Sequence, residues 1–180
     1  MDTVRFQDKS QPGVNALADQ INAEASLANV PPCALAAIVD VETGGRNILQ
    51  EGMPPGPDCG VGVCQITAGV DWSNPSHPTY EGIDLWNVAD NLHVAAAFFL
   101  APAITAATRL KAQNPSAFAQ WGDGQILWYA FAAYNEGVGA VTKALAEGRN
   151  PDSGTTDGYA TRAMAAYLDF VQASHAAGMT

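Results

Sequence analysis

The hydrophobic positions of the chain are most concentrated between Pro31 and Gly45. Residues 33–41 are almost all apolar, which is typical of a helix that is buried on most of its sides. The proline pair before this run suits the first turn of a helix, and the glycine pair after it suits a left-handed stop. The pattern therefore predicts a buried helix from about Pro32 to Thr43.

Glu42 interrupts this apolar pattern in the last turn of the predicted helix. Burial disfavours the charged form of a carboxyl group, and the negative end of the helix macrodipole acts in the same direction. Both effects raise the pKa of the carboxyl, as a general acid at neutral pH requires. The pattern thus favours Glu42 as a catalytic acid, although an exposed glutamate of ordinary pKa fits the same spacing.

Helical periodicity and breaks at proline or glycine predict helices along most of the remaining chain. The first runs from about Asn15 to Asn29. Its predicted inward-facing positions are Leu17, Ile21, Ala25 and Ala28. Later helices are separated by breaks such as the one predicted at Pro102. They are predicted at about 86–101, 103–112, 115–120, 124–134, 137–147 and 158–176.

Strand signals are confined to one part of the chain. Residues 44–62 form a long loop rich in glycine and proline, and loops of this length in compact domains are usually functional. The stretch 63–67 is compatible with a strand, whereas 71–84 is polar and rich in turn-forming residues. The sequence therefore predicts a mainly α fold with at most a small β element in the 55–70 region.

Length and composition restrict the class of protein. The 180 residues suit one domain, which we predict at 15–180 with an N-terminal arm at 1–14. Hydrophobic residues make up 48% and charged residues 14%, as in a helical globular protein. The net charge of −10, with only eight Lys and Arg residues, argues against nucleic acid and anionic lipid as partners. The most apolar run, 94–108, is shorter than a bilayer span and contains Pro102, so membrane insertion is not expected.

Three cysteines, Cys33, Cys59 and Cys64, leave the redox state open. Their odd number permits at most one internal disulfide, and Cys59 with Cys64 or Cys33 with Cys64 are both plausible pairs. Three buried free thiols fit the sequence as well. The cysteines and histidines lack the spacing of a zinc site, so neither a metal nor a cofactor is expected.

Four segments, in order, resemble the catalytic domain of soluble lytic transglycosylases, a family related to goose-type lysozymes. The first is residues 23–45. Residues 60–66, Gly-Val-Gly-Val-Cys-Gln-Ile, resemble the family's Gly-Leu-Met-Gln segment, and 133–141 fit its Ala-Tyr-Asn-x-Gly-x-Gly-x-Val motif at every fixed position. Residues 156–162 resemble its closing Thr-x-x-Tyr-Val segment. The resemblance covers roughly residues 15–170 and implies a lysozyme-like fold.

The resemblance implies cleavage of the β-1,4 bond between N-acetylmuramic acid and N-acetylglucosamine in peptidoglycan. A lytic transglycosylase can work with a single carboxylate, here Glu42 as general acid and base. It protonates the leaving oxygen and then accepts the proton of the sugar's own C6 hydroxyl, which gives a 1,6-anhydro product. Tyr159 is implied as the second catalytic residue, which frames Glu42. The implied substrate-binding residues are Asp58, Gly62, Gln65, Tyr134 and Asn135.

Departures from the family pattern leave two alternatives open. Gly56 falls at the family's serine position, and Cys64 replaces the methionine before the glutamine. Thr67 stands where goose-type lysozymes carry an aspartate. The first alternative is a hydrolytic muramidase that uses Asp58 or Asp71 as its second carboxylate. The second is a non-catalytic glycan-binding module or a structural virion module. The glutamate at the catalytic position favours an enzyme over this alternative.

The expected partners are peptidoglycan glycan strands, together with other phage proteins or proteins of a wall complex. Such a substrate places the site of action in the periplasm or the cell wall. The first residues of the chain lack the apolar core of a signal peptide. We therefore expect delivery by phage lysis or in a virion, or secretion with a signal that this sequence does not include.

Overall fold

The computed structural model describes residues 12–153 and 158–176, and within these residues the protein is mainly helical. The α-helices are α1 (Pro12–Ala16), α2 (Ala18–Ala28), α3 (Pro32–Thr43), α4 (Val88–Val94), α5 (Ala101–Gln113), α6 (Asp123–Glu136), α7 (Val138–Ala146) and α8 (Tyr159–Ala176). A π-helical segment, Ala95–Leu100, joins α4 to α5, and a short 3-10 turn covers Pro151–Ser153. The predicted mainly α class is confirmed.

Helix α3 lies in the core and ends where the sequence predicts. Residues 33–39 are all buried, and the helix makes its most extensive contacts with α8. The backbone is extended at Pro31 and turns left-handed at Gly44, with φ of 63°. Proline at the start and glycine at the stop therefore set both ends of the helix that carries Glu42.

The β structure is short and forms two small antiparallel sheets in the described part of the chain. The strands are β1 (Ile48–Leu49), β2 (Val61–Gly62), β3 (Val70–Asp71), β4 (Thr79–Tyr80) and β5 (Ile83–Asp84). Strand β1 pairs with β2, with Ile48 opposite Gly62, while β3, β4 and β5 form the second sheet. The prediction of one small element in the 55–70 region was too narrow, because the turn-rich stretch 71–84 contains a hairpin and the partner of β2 precedes the region.

The break predicted at Pro102 was wrong. Helix runs without interruption from Val88 to Gln113 because the backbone widens into a π-helix immediately before the proline. The Ala101 N–H bonds to the Ala96 oxygen, five residues back. The wider turn allows the helix to continue through Pro102, which has no N–H and whose ring would clash with the backbone of an ordinary α-helix.

The continuous helix also corrects the sequence argument about membrane spans. Its 26 residues are long and apolar enough to cross a membrane by length and composition alone, a criterion that core helices of soluble proteins also meet. Several of its side chains belong to the hydrophobic core, among them Leu92, Val94 and Leu100. The expectation of no membrane insertion therefore loses the support of a break at Pro102.

Other boundaries differ from the predicted ones. The first predicted helix is split at Leu17 into α1 and α2, although Ile21 and Ala25 are buried as predicted. Helix α1 begins at Pro12 and Val14 is fully buried, so the domain includes the end of the predicted arm. The rest of that arm, 1–11, lies outside the described residues. No helix forms at 115–120, where the chain makes turns.

All three cysteines are buried free thiols. This selects one of the three states that the sequence left open. Cys64 is fully buried, and burial raises the pKa of its thiol well above the usual value. Such a thiol is protonated at neutral pH and packs as a small apolar side chain.

Candidate active site

Glu42 lies at the end of α3, where the first turn of α8 meets it. The Tyr159 hydroxyl donates a hydrogen bond of 2.7 Å to Glu42 Oε1. Burial raises the pKa of Glu42 from 4.5 to about 7, while the Tyr159 hydrogen bond and the positive charge of Arg162 lower it by smaller amounts. Near pH 7 this carboxyl group is therefore able both to donate and to accept a proton.

A second tyrosine stacks on the first. The rings of Tyr134 and Tyr159 are nearly parallel, with an interplanar angle of 9° and centroids 6.3 Å apart. The Tyr134 hydroxyl donates to the Cys64 backbone oxygen at 2.7 Å. Burial raises the pKa of both phenols well above the usual value, so both remain hydrogen-bond donors at neutral pH. The structure thus brings together Glu42 and the two tyrosines, as the sequence predicts.

Asp152, which the sequence reasoning missed, holds the first turn of α8. Its buried carboxylate accepts hydrogen bonds from the backbone N–H groups of Ala160, at 2.8 Å, and Thr161, at 3.1 Å. These N–H groups have no partner within the helix, and a negative charge at a helix start is favourable. Because Tyr159 is the first residue of this helix, Asp152 fixes the position of the hydroxyl that bonds to Glu42.

Gln65 lies at the other side of the site on a tight turn. Its φ of 50° is left-handed, which is uncommon for a residue other than glycine. Its side-chain amide donates to the backbone oxygens of Ile48, at 3.0 Å, and Gly62, at 2.8 Å. Both N–H groups of the amide are thus used inside the protein, so only the side-chain oxygen remains for the predicted contact with a sugar.

Gly62 has a structural role that differs from the predicted one. Its φ is 78°, and a Cβ at this position would lie 2.2 Å from Asn91 Nδ2 and 2.9 Å from the Leu85 oxygen. The fully buried Asn91 side chain donates to the oxygens of Val61 and Leu85, and it accepts from the Cys64 N–H. Gly62 therefore makes room for the amide that ties the β2 loop to α4.

A cavity of about 380 Å³ opens beside Glu42, which is a size typical of ligand sites. It is lined by Glu42, Arg46, Ile48, Gln50, Glu51, Gln65, Thr67, Tyr134 and Asn135. Ile48 is the one apolar residue among them. A lining rich in amide, hydroxyl and charged groups suits a polar ligand such as a sugar, and it contains three of the five predicted binding residues.

The two predicted second carboxylates do not line this cavity. Asp58 is exposed on the long loop, and Asp71 is exposed on β3, where its oxygens accept from the backbone and hydroxyl of Ser73. Glu51 does line it, and its Oε1 lies 2.7 Å from Arg46 Nη1. The sequence reasoning missed both residues of this ion pair, although Arg46 follows Glu42 by only four positions.

Neither a metal site among the described residues nor a similar protein was found that would assign a role to this cavity. Across residues 12–153 and 158–176, no group of three or more His, Cys, Asp or Glu side chains is placed to hold a metal ion. No protein-family model matches the chain, and no curated protein matches it significantly.

Proposed function

We propose that this protein cleaves the β-1,4 bond between N-acetylmuramic acid and N-acetylglucosamine in peptidoglycan, as a lytic transglycosylase with a lysozyme-like fold. The observation that carries the proposal is the Glu42 carboxyl, whose pKa is raised to about 7 and which is bonded to Tyr159 beside an open polar cavity. The four motifs support the same family. The substrate would place its action in the cell wall.

In the proposed reaction a single carboxyl group serves twice. Protonated Glu42 donates its proton to the glycosidic oxygen as the bond from C1 of muramic acid to that oxygen breaks. The resulting carboxylate then accepts the proton of the C6 hydroxyl, whose oxygen bonds to C1 and closes the 1,6-anhydro ring. Glu42 is protonated again at the end. The Tyr159 hydrogen bond stabilises the carboxylate between the two steps.

The residue at position 67 favours this reaction over hydrolysis. The position two residues after Gln65 is Thr67, a cavity residue without a carboxylate. A hydrolytic muramidase remains the second candidate because Glu51 also lines the cavity and offers another carboxylate. For that candidate Glu51 replaces Asp58 and Asp71 as the residue that would activate water.

Product analysis distinguishes the two reactions. Digestion of purified peptidoglycan should release muramic acid ends in the 1,6-anhydro form, each lighter by one water than a hydrolytic end. Mass spectrometry of the fragments, with the digestion run in H₂¹⁸O, measures both the mass and the origin of any added oxygen. Reducing ends that carry ¹⁸O as the main product would instead identify a muramidase.

The raised pKa of Glu42 predicts how cleavage depends on pH. Because the first step needs protonated Glu42, kcat/KM should be level below about pH 7 and fall about tenfold per pH unit above it. Tyr159→Phe removes a hydrogen bond that lowers this pKa, so the alkaline fall should move to higher pH. Rates on soluble glycan fragments from pH 5 to 9 test both statements. An unchanged profile in Tyr159→Phe would contradict the assigned contact.

A further inference from the structure

The ion pair between Arg46 and Glu51 lies in the cavity wall that also contains the catalytic Glu42. Neither of these two residues has a part in the proposed proton transfers. Arg46 is the one cation among the described residues that line the cavity. The chain has a net charge of −10 and only eight Lys and Arg residues, so a positive charge in the cavity wall is unusual for this protein.

The Arg46 side chain is 60% exposed, but it is tied to the end of the helix that carries the acid. Its Nε donates a 2.9 Å hydrogen bond to the backbone oxygen of Thr43, the residue after Glu42. The Thr43 side chain is itself buried and donates to the Val63 oxygen at 2.9 Å. Because the last carbonyl groups of a helix have no partner within it, this contact also completes the end of α3. One edge of the guanidinium is thus anchored to the catalytic helix.

Glu51 is held much less firmly. Its side chain is 74% exposed, and Arg46 Nη1 is the partner of its carboxylate within the described residues. An exposed ion pair contributes little to stability because water competes for both charges. A carboxylate from a ligand that enters the cavity is therefore able to displace Glu51 from Arg46 at small cost.

The chemistry of a guanidinium indicates what this position would bind. Arginine presents its N–H groups as a planar fork that matches the two oxygens of a carboxylate. In peptidoglycan a carboxyl group occurs on the lactyl side chain at C3 of muramic acid, either free or joined to a peptide that carries carboxylates of its own. Chitin-type oligomers of N-acetylglucosamine have no such group.

We propose that Arg46 forms a subsite for a carboxylate of the muramic acid side chain, and that Glu51 occupies this subsite in the ligand-free protein. The inference rests on the proposed function and deepens it, because it gives the site a preference for anionic muramic acid glycans over neutral ones. It also predicts that Arg46 and Glu51 have opposite effects on the affinity for anionic glycans.

Binding to the full chain tests the subsite, with Glu42→Gln present throughout to prevent cleavage. Calorimetry is run with three ligands: glycan strands with intact peptides, strands freed of peptide by an amidase, and hexa-N-acetylglucosamine. Arg46→Gln should weaken binding of an anionic strand by about 10- to 100-fold, the usual range for hydrogen bonds to a charged group. Binding of the neutral hexamer should not change.

Glu51→Gln should have the opposite effect. Loss of the competing carboxylate frees Arg46, so affinity for the same anionic strand should rise severalfold. If the pair were only structural, both substitutions would weaken binding or both would leave it unchanged. Arg149→Gln is the matched control, because Arg149 forms an exposed pair with Glu147 and does not line the cavity. It should bind all three ligands like the parent protein.

The three ligands also identify the source of the carboxylate. A loss confined to strands freed of peptide points to the lactyl carboxylate, which is an amide in intact strands, and a loss confined to intact strands points to the peptide carboxylates. A loss with both kinds of strand shows that the subsite accepts either carboxylate. Each of these results supports the subsite. Equal losses for anionic strands and neutral hexamer, or no loss for any ligand, would overturn it while leaving glycan binding intact. Absence of binding to every ligand by the parent protein would refute the proposed function itself.

Discussion

Replacing Glu42 with glutamine should lower the rate of peptidoglycan cleavage by about 100- to 10,000-fold, the usual loss when a general acid is removed. Glutamine keeps the shape of the side chain and can still accept the hydrogen bond from Tyr159. It has no proton to donate to the glycosidic oxygen. The measurement is release of soluble fragments from purified peptidoglycan, with wild type and variant compared at pH 6.

A control must show that the variant loses chemistry and not structure. Glu147→Gln provides a matched change, because Glu147 is exposed at the end of α7 and does not line the cavity. It should retain full activity, while Glu42→Gln should still bind glycan. Substantial cleavage by a clean Glu42→Gln preparation would contradict the assignment of Glu42 as the general acid, whereas lack of cleavage by the wild type would favour the non-catalytic module.

The same substitution should stabilise the protein at alkaline pH. The pKa of Glu42 is raised in the folded state from 4.5 to about 7, so folding is most favoured below pH 4.5 and loses stability as pH rises through 7. The full difference corresponds to roughly 3 kcal/mol as an upper value. Glutamine does not ionise. Chemical denaturation at pH 5 and pH 8 should therefore show that the free energy of unfolding of Glu42→Gln, relative to wild type, is higher at pH 8 than at pH 5.

Replacing Gly62 with alanine should destabilise the protein by about 3–5 kcal/mol. Two costs add at this position. Alanine is strained at a φ of 78°, and its Cβ would collide with the buried amide of Asn91 and the Leu85 oxygen. If Asn91 moves, the Cys64 N–H and the Val61 oxygen lose their buried hydrogen bonds. Chemical denaturation measures the loss.

Gly52→Ala separates the two costs. Its φ of 79° matches that of Gly62, but no atom lies within 4 Å of an added Cβ. Alanine at this position should therefore destabilise the protein through backbone strain alone, by about 1 kcal/mol. Equal losses for the two variants would show that the Asn91 amide yields easily and does not hold the β2 loop.

The sequence by itself determined the centre of this protein. An almost entirely apolar run between a proline pair and a glycine pair predicts a buried helix with defined ends, and α3 has the predicted bounds. The same pattern favours a buried position for Glu42, and the structure shows that burial raises the pKa of this carboxyl. The resemblance of four motifs to a known family also indicated Tyr159, 117 residues further on, as a neighbour of Glu42, and the two residues share a 2.7 Å hydrogen bond. These features depend on local propensities and on motif residues that the chain itself displays.

Only the tertiary structure decided which other groups share the site. Glu51 lines the cavity, whereas Asp58, seven positions later on the same loop, does not. An irregular loop has no hydrophobic periodicity, so the sequence could not predict which of its side chains face the site. Asn91 acts on the Cys64 N–H, 27 residues away, and Asp152 acts on N–H groups eight and nine residues further on, beyond the span of an ordinary helix cap, so no local pattern marks them. The helix continues through Pro102 because the π-helical segment just before it accommodates a residue that would end an ordinary α-helix. The local pattern therefore marked Glu42 as the candidate acid, and long-range packing decided which side chains lie beside it.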